Sequence, residues 1–219
     1  MESSRYWYSM GLDFIWRIMW KLIEKSKRNN FRWRVDSKSE AERLLGLGEN
    51  EKANKKFIEA VEITPHHAHC LIQTLKRLNI DYYVAPYEAD AQLAFLCKEG
   101  YADFVITEDS DLLAFGVPRC LFKFNFDQTG IEINMANLTK CSDMSFDGFD
   151  GDLFLTTCIL AGCDYLESIK GIGFIRAHKY VTKACGDLDI IMKQMVIDGK
   201  SVPKDFVHWF NKAFLTFHF

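Results

Sequence analysis

The sequence predicts an α/β chain in which a small mixed sheet is flanked by helices, and three observations carry that expectation. Short β-branched and aromatic runs, Tyr82–Val84 and Phe104–Ile106, alternate with stretches of helical periodicity, the pattern of strands joined by crossovers. Cys120–Phe126 alternates Leu121, Lys123 and Asn125 with Phe122, Phe124 and Phe126, then turns through Asp127-Gln128-Thr129-Gly130 into Ile131–Ile133, which reads as a hairpin. With 219 residues, 48% of them apolar, the chain can bury the core of one sizeable domain.

The elements follow in order. Tyr6–Ile23 is aromatic and aliphatic, but Asp13, Arg17 and Lys21 interrupt it at four-residue spacing, which makes a poor membrane span. It lacks the basic start and small-residue cleavage site of a secretory signal, so residues 1–30 read as an amphipathic or poorly folded leader. Lys25, Lys27, Arg28, Arg32 and Arg34, interleaved with Phe31 and Trp33, suit either a phosphate-tracking segment or a solvated basic linker. Ser39–Leu47 and Asn50–Glu62 have helical spacing, with apolar faces at Leu44, Leu45 and Leu47 and at Ala53, Phe57, Ile58 and Val61. Gly46 and Gly48 part them into a helical hairpin. Thr64-Pro65 opens a helix that runs to about Leu78, with Thr as cap and Pro in the first turn. A helix over Tyr87–Lys98 ends at Gly100, between the two short strands. Beyond Met135 the pattern is mostly helical, at Asp150–Leu160, Phe174–Lys183, Leu188–Met195 and Pro203–Phe217.

Seven cysteines, with no Cys-x-x-Cys and no paired spacing with His, read as thiols of a reducing, intracellular compartment rather than as a disulfide framework or zinc site. The net charge of −3 argues at first against a nucleic-acid partner. Five acids discussed next have another use, and without them 27 basic residues face 25 acids, so the global charge does not decide the partner.

Asp109 and Asp111 stand one residue apart just after Phe104–Ile106, at the carboxyl end of a predicted strand, where alternate positions face the same way. Glu88 and Asp90 repeat the spacing after Ala85-Pro86-Tyr87, and Asp164 sits in Leu160-Ala161-Gly162-Cys163-Asp164-Tyr165. Gathered together, such charges repel unless divalent cations neutralise them, and hard oxygen ligands favour magnesium or manganese over zinc. Two such ions can clamp a phosphodiester and activate a water for in-line attack, so the expected reaction is metal-assisted phosphodiester hydrolysis. Taken singly, each acid is equally explained as a helix-terminal charge or cap, and a lone Asp-x-Asp also suits a metal-dependent transferase. Gly171-Ile172-Gly173 opens a helix, where exposed N–H groups can bind phosphate, and Arg176 and Lys179 follow near the same face; the plain alternative is a packing turn.

Three segments, Tyr83-Val84-Ala85-Pro86-Tyr87-Glu88-Ala89-Asp90-Ala91-Gln92-Leu93, Ile106-Thr107-Glu108-Asp109-Ser110-Asp111-Leu112-Leu113-Ala114-Phe115-Gly116 and Leu160–Leu166 with Gly171-Ile172-Gly173, together resemble the flap endonuclease and exonuclease 1 superfamily of XPG-type 5′ nucleases. Within it, Cys163 and the run Leu112–Gly116 look most like the exonuclease 1 branch, and the resemblance covers roughly residues 36–217. The resemblance implies a Rossmann-like (PIN-like) nuclease core with a helix-two-turn-helix motif, 5′→3′ exonuclease and 5′-flap endonuclease activity on double-stranded DNA, and work in nuclear mismatch repair and recombination. It assigns Glu88 and Asp90 to a first magnesium, Asp109, Asp111 and Asp164 to a second, and Gly171, Gly173, Arg176 and Lys179 to the duplex backbone. A potassium ion is implied at Ser168 and the Ile172 carbonyl, although Ala161 stands where a serine is frequent.

The same resemblance divides the chain into a leader (1–35), a remnant of the helical arch (36–64), an internal nuclease region (65–145) and the helix-two-turn-helix with C-terminal helices (146–219). It finds no counterpart of the family's N-terminal region, which carries two further metal-binding aspartates, nor of the long tail that meets mismatch-repair partners. The first metal site and the first strands are therefore expected to be incomplete, in a nuclease by descent that is a fragment, an incomplete gene model or an inactive isoform. The competing expectation is a non-catalytic DNA-binding module that keeps Gly171–Lys179.

Overall fold

The computed structural model describes residues 31–61, 64–125, 127 and 129–218. The leader and the first part of the basic run lie outside the described residues. The chain divides into two compact units, Met1–Tyr83 and Val84–Phe219.

In the first unit, α1 (Phe31–Gly46), α2 (Asn50–Ala60) and α3 (Pro65–Arg77) are helical. α1 starts at Phe31 rather than Ser39, because its buried stripe is Ser37, Ala41 and Leu44, and a serine escapes a count of apolar residues. α1 packs on α2 across the turn at Gly48, whose φ of +76° suits glycine. Of the predicted apolar faces, Leu44 and Ala53 are buried, whereas Leu45, Leu47, Ile58 and Val61 are exposed. Thr64 caps α3 in a capping box in which His67 takes the place usual for Glu or Gln, with the Thr64 N–H donating to His67 Nδ1 at 3.1 Å. The strand expected at Tyr82–Val84 does not form: Tyr83 and Val84 are 71% and 69% exposed. β-propensity expresses fit against a neighbouring strand, and no described strand runs beside them.

In the second unit, α4 (Ala89–Lys98) leads to β1 (Val105–Ile106) and the short α5 (Asp111–Ala114), then to β2 (Arg119–Phe122) and β3 (Ile131–Asn134). The sheet is mixed, as expected, in the order β1-β2-β3. β1 runs parallel to β2 with Val105 opposite Cys120, and β2 pairs antiparallel with β3 with Phe122 opposite Ile131. The hairpin turn is held by Asp127, whose Oδ1 accepts from the Thr129 N–H at 3.1 Å. A 3₁₀ stretch, Met135–Lys140, precedes α6 (Gly151–Ala161), α7 (Phe174–Ala184), α8 (Leu188–Ile197) and α9 (Phe206–His218).

α6 is the centre of this unit. Its sequence, Gly-Asp-Leu-Phe-Leu-Thr-Thr-Cys-Ile-Leu-Ala, is apolar nearly all round, the mark of a helix with neighbours on every side. Leu155, Ile159 and Leu160 are buried, and the enclosed Thr157 hydroxyl is satisfied by the Leu153 carbonyl at 2.9 Å. Asp150 caps the helix by accepting from the Leu153 N–H at 2.8 Å. α7 and α9 pack against α6, and α8 packs on α7. Buried Leu112, Val117, Cys120, Val181, Ile191 and Met195 complete one core with α6.

Two core thiols give the fold an alkaline limit. Burial, with a smaller push from Cys97, raises Cys120 to about 11. Burial, with smaller pushes from the Asp111 charge and Cys163, raises Cys158 to about 12. The fold thus holds these protons more tightly than the unfolded chain, so their contribution is complete below pH 9 and is lost as pH rises towards 11 and 12. Urea midpoints are expected to fall across that window in the native chain and to fall less steeply in the Cys120→Ala/Cys158→Ala variant; parallel curves would refute this.

Candidate functional site

The acidic residues enter the second unit at three places. Glu88 is the extended residue that starts α4, and Asp90 lies in the first turn of that helix. Asp109 and Asp111 follow β1: the Asp109 N–H donates to Thr107 Oγ1 at 2.8 Å, and Asp109 Oδ1 accepts from the Asp111 N–H at 2.9 Å, fixing the entry to α5. Asp109 is only 5% exposed. Asp164 and Tyr165 form the tip of a tight turn closed by the Cys163 N–H to the Leu166 carbonyl at 3.0 Å and the reverse bond at 3.2 Å.

Tyr165 and Cys163 show how these places meet. The Tyr165 hydroxyl donates to the Glu88 carboxylate. Burial and that hydrogen bond hold the phenol well above its ordinary range, and the charges of Glu88, Asp164 and Asp90 add to the rise. Burial likewise raises the Cys163 thiol, against the lowering hydrogen bonds from the Tyr165 and Leu166 backbone, with Asp111 and Asp164 adding to it. The Tyr165–Glu88 hydrogen bond thus joins the start of α4 to the Asp164 turn, and Asp109 is bonded to the Asp111 backbone. The tip is anchored from below, since the Tyr165 ring meets Phe217 of α9 edge-on at 5.2 Å, and Phe217 meets Phe115 at 4.7 Å.

The expectation of one compact metal cluster is corrected in one respect. Among the described residues, no group of three or more His, Cys, Asp or Glu side chains is gathered closely enough to hold a metal ion. Like charges spread apart, and two of the acids spend oxygens on Tyr165 and on the Asp111 N–H. In donor chemistry the residues nonetheless fit a hard divalent cation, because carboxylates supply the oxygen ligands such ions prefer.

The glycine turn lies beyond Asp164. Gly171 has φ +80° and Gly173 is the extended residue before α7, and residues 171–176 line a recess of about 510 Å³. Arg176 folds back over this turn, with Nη1 donating to the Gly171 carbonyl at 2.5 Å, and Lys179 is exposed one turn further along. Ser168 and Ile172 lie in the same connection, Ser168 exposed and Ile172 buried. Two residues escaped the sequence reading. Tyr165 was signalled only by standing next to Asp164. Lys200 had no signal: it comes from beyond α8, and its ammonium would sit 3.7 Å from a Cβ placed on Gly171.

Gly162 is what allows the acidic tip to turn. Its φ is +107°, and an added Cβ would stand 3.1 Å from Ser168 Cβ and 3.2 Å from the Ser168 nitrogen. Gly162→Ala is expected to cost about 1–3 kcal/mol, read as a lowered urea midpoint with an unchanged slope. An unchanged midpoint would show that the tip reshapes freely.

Residues 79–164 match the XPG I-region, a stretch that contains all five acids. The chain is 42% identical to exonuclease 1 of Arabidopsis thaliana over 197 residues, covering 90% of this chain and 26% of that protein. Its fold superposes with a TM-score of 0.57 and 23% identity on flap endonuclease-1 from Methanococcus jannaschii, covering 78% of this chain and 49% of the other. It matches the catalytic core of Rad2 in complex with DNA substrate with a TM-score of 0.55 and 21% identity, covering 79% and 60%. Residues 79–164 thus carry an XPG I-region within an α/β core, and the chain is similar to the flap endonuclease/XPG family of 5′ nucleases. Within that family it is similar to exonuclease 1, and it spans about a quarter of the length of the curated relatives it matches. The aligned share exceeds the stretch 36–217 covered by the resemblance and reaches into the first thirty residues, which the sequence reading had set apart.

Proposed function

We propose that this chain carries the internal nuclease region of an exonuclease 1-like, magnesium-dependent enzyme acting on double-stranded DNA as 5′→3′ exonuclease and 5′-flap endonuclease, in nuclear mismatch repair and recombination. The observation that supports it most is the hydrogen bond from the Tyr165 hydroxyl to the Glu88 carboxylate, which joins the Asp164 turn to the start of α4, the two ends of the acid-bearing stretch of the matched I-region. In this reading Glu88 and Asp90 would hold a first magnesium and Asp109, Asp111 and Asp164 a second. Bound there, magnesium would supply Lewis acidity towards the scissile phosphate and an activated water.

The chain's own residues do the positioning. Tyr165 orients Glu88, and the β-turn carries Asp164. The N–H groups at the start of α7, with Arg176, Lys179 and Lys200, face the phosphate backbone of the duplex, while Ser168 and the Ile172 carbonyl are the potassium candidates. The parts 36–64, 65–145 and 146–219 are our proposed division of labour. No helix among the described residues is long and apolar enough to cross a membrane.

A second reading, a DNA-binding module without turnover, is favoured by the finding that no described group of side chains is gathered closely enough to hold a metal. A magnesium titration of cleavage on a 5′-flap duplex separates the two. Magnesium-dependent cleavage supports the nuclease, and salt-sensitive binding without cleavage supports the module.

A further inference from the structure

α3 presents three histidines and a cysteine within its first two turns: His66, His67, His69 and Cys70. What each ring nitrogen meets sorts them. His67 Nδ1 is used by the Thr64 cap, and His69 Nε2 meets Gln73 Nε2 at 3.4 Å. His66 Nε2 instead meets Cys70 Sγ, one helical turn on, at 3.5 Å, and both side chains are exposed to solvent.

That separation has a meaning beyond a sulfur–nitrogen hydrogen bond. With metal–sulfur and metal–nitrogen bonds of about 2.3 and 2.05 Å and a tetrahedral angle, a zinc ion holds its sulfur and nitrogen ligands about 3.6 Å apart. His66 Nε2 and Cys70 Sγ stand at that separation. A divalent ion would take the place of the shared proton, which leaves to solvent as the thiol becomes a thiolate. Thiolate and imidazole select zinc and similar borderline ions over magnesium, the opposite preference to that of the carboxylate edge.

We propose that His66 and Cys70 form a two-residue chelate for zinc(II) or a comparable transition ion on the exposed face of α3, with water completing the coordination. It is independent of the nuclease reading and uses none of its residues. Two protein ligands make an open site, suited to a loosely held ion.

Cobalt(II) titration of the full chain tests it, because a thiolate ligand gives cobalt a charge-transfer band in the near ultraviolet that carboxylates do not. The band is expected in the native chain, to vanish in Cys70→Ser, and to require at least tenfold more cobalt in His66→Ala. Zinc is expected to displace the cobalt and bleach the band, whereas millimolar magnesium leaves it in place. His69→Ala should leave the cobalt midpoint within twofold, and circular dichroism of each variant verifies the helix. A band that persists in Cys70→Ser would place the ion at another thiol, such as Cys163 beside the acids, and overturn the proposal. So would a tenfold loss on His69→Ala, or no band in the native chain.

Discussion

Asp109→Ala is expected to abolish magnesium-dependent cleavage of a 5′-flap duplex by at least a thousandfold, the equivalent of about 4 kcal/mol of transition-state stabilisation. Asp109 is the most enclosed of the five acids and is bonded directly to the backbone of Asp111, so its loss removes a metal ligand and loosens a second one. The two effects separate in Asp109→Asn. Its amide oxygen can still accept from the Asp111 N–H, and only the charge is lost. The alanine variant should also lose about 1 kcal/mol of stability with that helix-entry bond, which the asparagine variant retains. Cleavage by Asp109→Asn at the native rate would remove Asp109 from the metal-binding set.

Ile159→Ala is expected to cost about 2–5 kcal/mol, the largest stability loss from a single side chain of α6. Ile159 is fully enclosed in a helix that is packed on every side, so the cavity has no solvent edge across which it can close. Against a total stability of about 5–15 kcal/mol, such a loss raises the unfolded fraction by a factor of about 30 to 5,000. α6 also ends at Gly162, immediately before the acidic tip, so loosening it should shift the Tyr165 environment as well. Urea unfolding followed by circular dichroism reads the first, and the near-ultraviolet tyrosine absorbance compared with that of Tyr165→Phe reads the second. A loss below about 1 kcal/mol would mean that α6 is not the centre of its unit.

Most of the helices were legible because their periodicity is strong. α6, α7, α8 and α9 fall within a few residues of where the apolar spacing puts them. The hairpin was legible from its alternation and its Asp127–Gly130 turn. Where the reading failed, a local signal depended on a distant partner. Tyr82–Val84 has the composition of a strand but no described strand to pair with, and α1 is buried through Ser37, a residue that apolar counting passes over. Within the site, the five acids were named from spacing alone. The bond from Tyr165 to Glu88 was not legible, because it depends on where α4 and the Cys163–Leu166 turn come to rest.

By itself the sequence determined the kind of elements, their order and the identity of the chemically important side chains, since periodicity, capping and charge spacing are properties of neighbouring residues. Only the tertiary structure decided that Tyr165 holds Glu88, that Lys200 reaches the Gly171 turn and that no described group of side chains gathers closely enough to hold a metal. Those relations join residues separated by up to 77 positions. No local pattern encodes them, because they depend on how elements distant in the chain pack together.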